Sequence, residues 1–436
     1  MACCLAFTVS TSSAKARGAL PFPWARWSFR IALFISSFGL VQLGASQTTG
    51  GGSALRQGIW LLLGLCALPG LRQSEGRPRL SWMRDRGMPV LALFLLYCLV
   101  SSLWSAVALI SFKRALLLAL VIWIGYAAVG VAEGEGDDFS WLCAGPVFCL
   151  LGLSFGVVLL DPGVGITPIG WRGATSHKNE FGQVCALALL CLTALIGQLR
   201  MRYWLPLALA AMLGMALSRS ASCQMAVLIA LTVQGVAWIY RWTCARRAAQ
   251  PWVLGGLLLL LALAYVPLAA GMLPLNDSLP DDLLALMGKS SNLTGRTQLW
   301  TLVLDNSRYH NPWLGGGYGG FWNGIGSVAG YIAWAFPGGY VDQAHNSYID
   351  LYNDLGYLGL VGLTLFFLAY WRNLLAPGVR ASREFLFHLG FVVFILVLSN
   401  TESVLFRTTQ LLNLMLMASF IRVAALARLH ADRPPA

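Results

Sequence analysis

The sequence predicts an all-α integral membrane protein of about 12 transmembrane helices with one large loop on one face, and three observations lead there. First, 57% of the 436 residues are hydrophobic and 11% are charged. Ordinary soluble domains carry roughly 25% charged residues, and so few charges cannot cover a water-facing surface. Second, the apolar residues collect in runs close to the ~20 residues that cross a ~30 Å hydrocarbon layer as a helix. Neither a strand's period of two nor the alternation of an outer-membrane barrel is present, so the spans are helices that satisfy their own backbone polar groups. Third, twenty of the 30 Lys and Arg fall in alternate connections, the bias of segments that stay in the cytoplasm. That distribution gives the net charge of +12 a topological meaning, and no nucleic-acid partner is expected.

In chain order, residues 1–30 form a cytoplasmic N-terminal segment with Lys15, Arg17, Arg26 and Arg30. It resembles a signal peptide, but no small-residue cleavage site follows the first apolar run and further spans do, so that run is expected to be retained. Transmembrane helices 1–9 occupy 31–271, near 31–46, 57–71, 88–106, 115–132, 140–160, 183–198, 204–217, 221–240 and 251–271. Pro69 interrupts the second, and Lys113 with Arg114 precedes the fourth on its outer side. Residues 272–347 form the outer loop, helices 10–12 follow within 348–424 (near 348–370, 385–400 and 408–424), and 425–436 is a cytoplasmic tail. The 10 cysteines all precede residue 245 and mostly lie in spans. Neither a disulfide framework nor a CxxC metal knot is expected.

Loops as long as 272–347 are functional or disordered, and Trp300, Trp313, Trp322 and Trp334 argue against disorder. Within it, Leu299, Leu302 and Val303 share one helical stripe, which predicts a helix lying on or in the outer leaflet. The glycine turn of Gly315, Gly316 and Gly317 offers backbone that can approach a ligand's phosphates closely. His345 and Asn346 open the tenth span, followed by Tyr348, while Tyr352, Gly356 and Gly359 give that helix a face small enough for a neighbour to approach. An imidazole at this mouth can move a proton near neutral pH, although a His at a helix start is more simply a hydrogen-bonded cap.

Several basic side chains share the outer face: Arg172, His177 and Lys178 before the sixth span, Arg219 at the end of the seventh, and Arg296 at the start of the loop helix. Their placement runs against the inside bias. A set of guanidinium groups suits a pyrophosphate, whose oxygens the planar fork binds bidentately, and the simpler reading is snorkelling to lipid headgroups. Glu402 and Arg407 flank the turn between the last two spans, where they either line the acceptor side or pair with each other.

Taken together, Ser218-Arg219, Gly295-Arg296 with Trp300, Asn311-Pro312 with Gly315 to Gly317, and His345-Asn346-Ser347 with Gly356 and Gly359 resemble the family of O-antigen ligases and O-antigen and exopolysaccharide polymerases. The resemblance covers about 165–365. It implies a bundle of the glycosyltransferase C type in the bacterial inner membrane, with the outer loop and active site periplasmic. It also implies an undecaprenyl-pyrophosphate-linked oligosaccharide as donor, a glycan or lipid A core as acceptor, and inverting transfer with no metal and no cofactor. The family's essential two arginines and histidine match Arg219, Arg296 and His345; Arg172, His177, Lys178, Tyr348, Asn346, Gly316 and Gly317 are the expected binding residues. The run His177 to Gly182 looks more like the polymerases than the ligases.

The rival reading is a polytopic transporter or lipid-linked glycan flippase. Carriers keep ionisable groups near the bilayer midplane, and Asp161, Glu180, Asp350, Asp354 and Glu402 all lie at or near span ends.

Overall fold

A computed structural model describes residues 24–39, 54–68, 87–130, 139–243, 296–308, 310–323, 329–330, 332 and 341–431. The described helices of more than five residues are α1 (Trp24–Ser37), α2 (Ala54–Cys66), α3 (Met88–Val100), α4 (Ala108–Gly130), α5 (Phe139–Leu160), α6 (Lys178–Ala194), α7 (Met201–Ser218), α8 (Ala221–Thr243), α9 (Arg296–Ser307), α10 (Ser347–Leu374), α11 (Phe385–Leu398) and α12 (Leu411–Ala431). A two-residue antiparallel pair, β1 (Ile166–Thr167) and β2 (Gly170–Trp171), joins α5 to α6. The protein is an all-α integral membrane protein. Among the described residues, six helices are long and apolar enough to span a bilayer, and three shorter apolar helices accompany them. The expected ninth span, 251–271, lies outside the described residues, as does Pro69.

The order of burial shows where the core sits. Of the apolar window of α12, 83% is buried, against 28% for α7. Helices α1, α4, α10 and α11 pack around α12, whereas α3, α4, α7 and α8 leave Leu93, Leu109, Leu205 and Leu228 exposed. In water that exterior would be unfavourable by ~25 cal/mol per Å² of apolar surface; facing lipid it costs nothing.

Three details differ from the sequence reading. Helix α1 begins at Trp24 rather than near residue 31. Gly356 does not sit on a smooth helix face: it breaks α10 with φ 63° and ψ −162°. The carbonyls freed at the break accept from the amides of Gly316 and Gly317, both at 2.8 Å, while the amides of Tyr357 and Leu358 donate to Pro312 and Trp313. The glycine turn therefore completes a broken helix. Arg422, one of the twenty Lys and Arg counted on the cytoplasmic side, is buried; its Nε and Nη2 donate to the two oxygens of Glu384 at 2.8 and 2.7 Å, with His388 3.4 Å from the same carboxylate. Burial opposes ionisation of Glu384, but His388 and Arg422 outweigh it and hold the carboxyl near about 2.

Candidate active site

Helix α9 starts at Arg296 and buries Leu299, Trp300 and Val303 in a small cluster with Phe321, Ala329, Ile332, Val341 and Ala344. Its apolar stripe thus faces the loop's own core and not the outer leaflet. The Trp300 indole donates to the Ala344 carbonyl at 2.9 Å, fixing α9 beside the residue before His345. Asp350 adds a second clamp, accepting from the Trp322 indole at 2.8 Å and the Ala344 amide at 3.0 Å. The segment then docks on the turn after α11. The Ser347 amide donates to Ser399, the Ser347 hydroxyl donates to the Glu402 carbonyl at 2.8 Å, and it accepts from the Val404 amide at 2.9 Å.

These constraints bring Arg296 and His345 to one carboxylate. Arg296 Nη2 lies 3.0 Å from Glu402 Oε1, and His345 Nδ1 lies 3.4 Å from Glu402 Oε2. Arg296 also donates to the Thr401 carbonyl, and Asn179 Nδ2 donates to Glu402 Oε1 at 2.7 Å. Their side chains are 17%, 29% and 6% exposed for Arg296, His345 and Glu402. Burial opposes ionisation of Glu402, but the His345 hydrogen bond and the charge of Arg296 outweigh it and lower its pKa. His345 has φ 51°, a region an L-residue enters at a cost. The helix cap is instead Asn346, whose Oδ1 accepts from the Tyr348 and Ile349 amides.

The remaining candidates divide. His177 caps α6 and lines the same cavity, of about 210 Å³, as His345 and Glu402. Burial, with Glu402 opposing it, lowers the His177 pKa and favours the neutral ring. Lys178 donates to the Ile169 carbonyl at 3.2 Å. Burial lowers its pKa, Glu402 raises it, and Arg296 and Arg219 lower it, so all four belong to one electrostatic neighbourhood. Arg219 is exposed and caps α7 with φ 51°, its amide donating to the Ala216 carbonyl, while its side chain makes no hydrogen bond or ion pair with a described residue. The β1–β2 turn is pressed against it: a Cβ on Gly170 would come within 2.3 Å of the Ser218 carbonyl oxygen. Arg172, by contrast, donates through Nε to the Val164 carbonyl at 2.7 Å, and the Tyr348 hydroxyl donates to Leu396 at 3.3 Å. The amides of Gly316 and Gly317 are spent on α10, so they offer no phosphate cradle.

Glu402 and Arg407 do not pair with each other; Arg407 lies 3.4 Å from Asp350. Neither Glu402 nor Asn179 belongs to a motif that sequence reasoning singled out as catalytic. The available signal was one acidic side chain on an outer turn otherwise free of acids, between Ser399 and Arg407.

The family model described as O-antigen ligase matches residues 206–367, the stretch that holds Arg219, Arg296 and His345 and stops short of Glu402. The match supports a glycan-ligating or glycan-polymerising function for a multi-pass membrane protein. A search of curated proteins found no match to the chain.

Proposed function

We propose that this chain, a member of the O-antigen ligase family by its match over 206–367, transfers or polymerises glycan from an undecaprenyl-pyrophosphate-linked donor. Transfer would be inverting and metal-independent, on the periplasmic face of the bacterial inner membrane. The observation that supports this most is the meeting of Arg296 and His345 on the two oxygens of one buried carboxylate.

A carboxylate whose pKa is lowered carries no proton, so in its bond to His345 the imidazole Nδ1–H donates. That leaves the Nε2 lone pair free, the tautomer a general base needs. The acceptor hydroxyl gives its proton to Nε2 as its oxygen attacks the anomeric carbon, and the carbon–oxygen bond to the pyrophosphate breaks on the opposite face. Negative charge then grows on the leaving pyrophosphate. Arg296, fixed by Glu402 and Thr401, and the exposed Arg219 stabilise it more in the transition state than in the ground state. Base catalysis of this kind contributes ~10²- to 10⁴-fold.

A carrier needs a polar path through both leaflets. The Glu402 and Glu384 clusters lie at opposite ends of α11, whose 14 residues separate them by about 21 Å. Between them α11 is apolar except for His388, which favours the transferase. The test is the purified protein with a lipid-pyrophosphate oligosaccharide, alone and with a lipid A core acceptor. Chain growth without the core identifies a polymerase and product only with the core a ligase. No transfer in either arm would defeat the reading.

A further inference from the structure

The cavity beside His345 is lined by Glu402 and Glu180 and by no Lys or Arg; Arg296 pairs with Glu402 but is not among the lining residues. A pyrophosphate would find no cation in that wall. The wall instead holds unspent neutral hydrogen-bonding groups. The side-chain amides of Gln183, Gln343 and Gln410 line it and make no hydrogen bond to a described residue. They come from three separate parts of the chain, on α6, before His345 and before α12. Ser403 lines the same cavity, is 3% exposed, and its buried Oγ has no partner among the described residues. A hydroxyl buried in this way costs stability unless a ligand or water completes it. Glu180 spends one oxygen on the Ser176 amide and hydroxyl, at 3.1 and 2.5 Å, which leaves Oε1 as an open acceptor.

Amides able to donate and accept, hydroxyls and a carboxylate oxygen together match the vicinal hydroxyls of a pyranose. We propose that this cavity is the acceptor subsite and takes an uncharged sugar, with Gln183, Gln343, Gln410 and Ser403 bonding its hydroxyls and Glu180 Oε1 accepting from one of them. The inference rests on the transferase reading for which sugar arrives there. The positions of the two substrates follow: the acceptor hydroxyl lies against His345 inside the cavity, and the pyrophosphate lies outside it, toward Arg219 and Arg296. A uronic acid in the cavity would desolvate its anion against a wall that holds no Lys or Arg, since Arg56, whose charge reaches Glu180, is not among the lining residues.

The experiment measures binding of a neutral hexose disaccharide and of its uronic-acid counterpart to the full chain in lipid nanodiscs, by saturation-transfer NMR without donor. The expected result is neutral binding with the acidic sugar weaker by about tenfold or more. Gln183→Ala and Gln410→Ala should each weaken the neutral sugar about fivefold, the effect of one lost hydrogen bond. Thermal unfolding of each variant confirms that it folds; for one that does not, saturation of wild-type signals by the neutral sugar at Gln side-chain resonances serves the same end. Equal binding of the two sugars, or no neutral binding, overturns the inference. If the wild type still transfers glycan in that case, the transferase reading stands without it. A wild type that binds the neutral sugar but transfers nothing sinks the transferase reading and with it the acceptor role, leaving a neutral-sugar site.

Discussion

Arg296 shows at the scale of one residue why charge alone is not its role. Its guanidinium spends Nη2 on Glu402 and Nη1 on Thr401, and only a planar group with five donors keeps others free for a phosphate. Arg296→Lys preserves the charge and forfeits the fork. Glycan transfer by the purified variant should fall on the order of 10²-fold, and full transfer would refute the bidentate picture. Arg296 and Arg219 were legible as candidates in the sequence because they are arginines on the face expected to be poor in Lys and Arg, and His345 because an imidazole opens the tenth span. Glu402 was not, since its function depends on which distant side chains reach it. Arg172 had the same sequence signature as Arg219, yet its Nε is bound to its own loop at Val164. A one-dimensional pattern cannot separate an Arg bonded to its own loop from one whose side chain is left exposed.

At the scale of elements, α10 and the glycine turn form one unit. Hydropathy placed the helix but not its break, because Gly356 reads identically whether it packs against a neighbour or adopts positive φ. A Cβ there would come within 2.4 Å of the Trp313 backbone, in a conformation L-residues avoid. Gly356→Ala should therefore destabilise the protein by about 2 kcal/mol or more, read as a lower thermal midpoint in detergent with loss of transfer, since Trp313 leads into the loop that carries His345. Gly152→Ala on α5, where an added methyl meets nothing, should leave both unchanged; equal behaviour of the two variants would show that the break is not structural. The helices α2 to α8 and α10 to α12 were legible from apolar runs alone. The orientation of α9 was not, because an apolar stripe of three residues fits a lipid surface and a protein core equally well.

For the whole molecule, the bundle makes neighbours of residues that the chain keeps far apart. Glu402 follows α11, His345 precedes α10, Arg296 opens α9 and Asn179 starts α6, and the buried carboxylate is where these four elements meet. The central claim is that Glu402 acts on transfer through His345, and a double-mutant cycle on single-turnover transfer tests it most directly. If His345 is the base that Glu402 orients, Glu402→Gln should slow transfer strongly in the wild-type background and much less once His345→Ala is present, the remainder reflecting its hold on Arg296. Two losses that simply multiply, with Glu402→Gln costing as much without His345 as with it, would contradict the account.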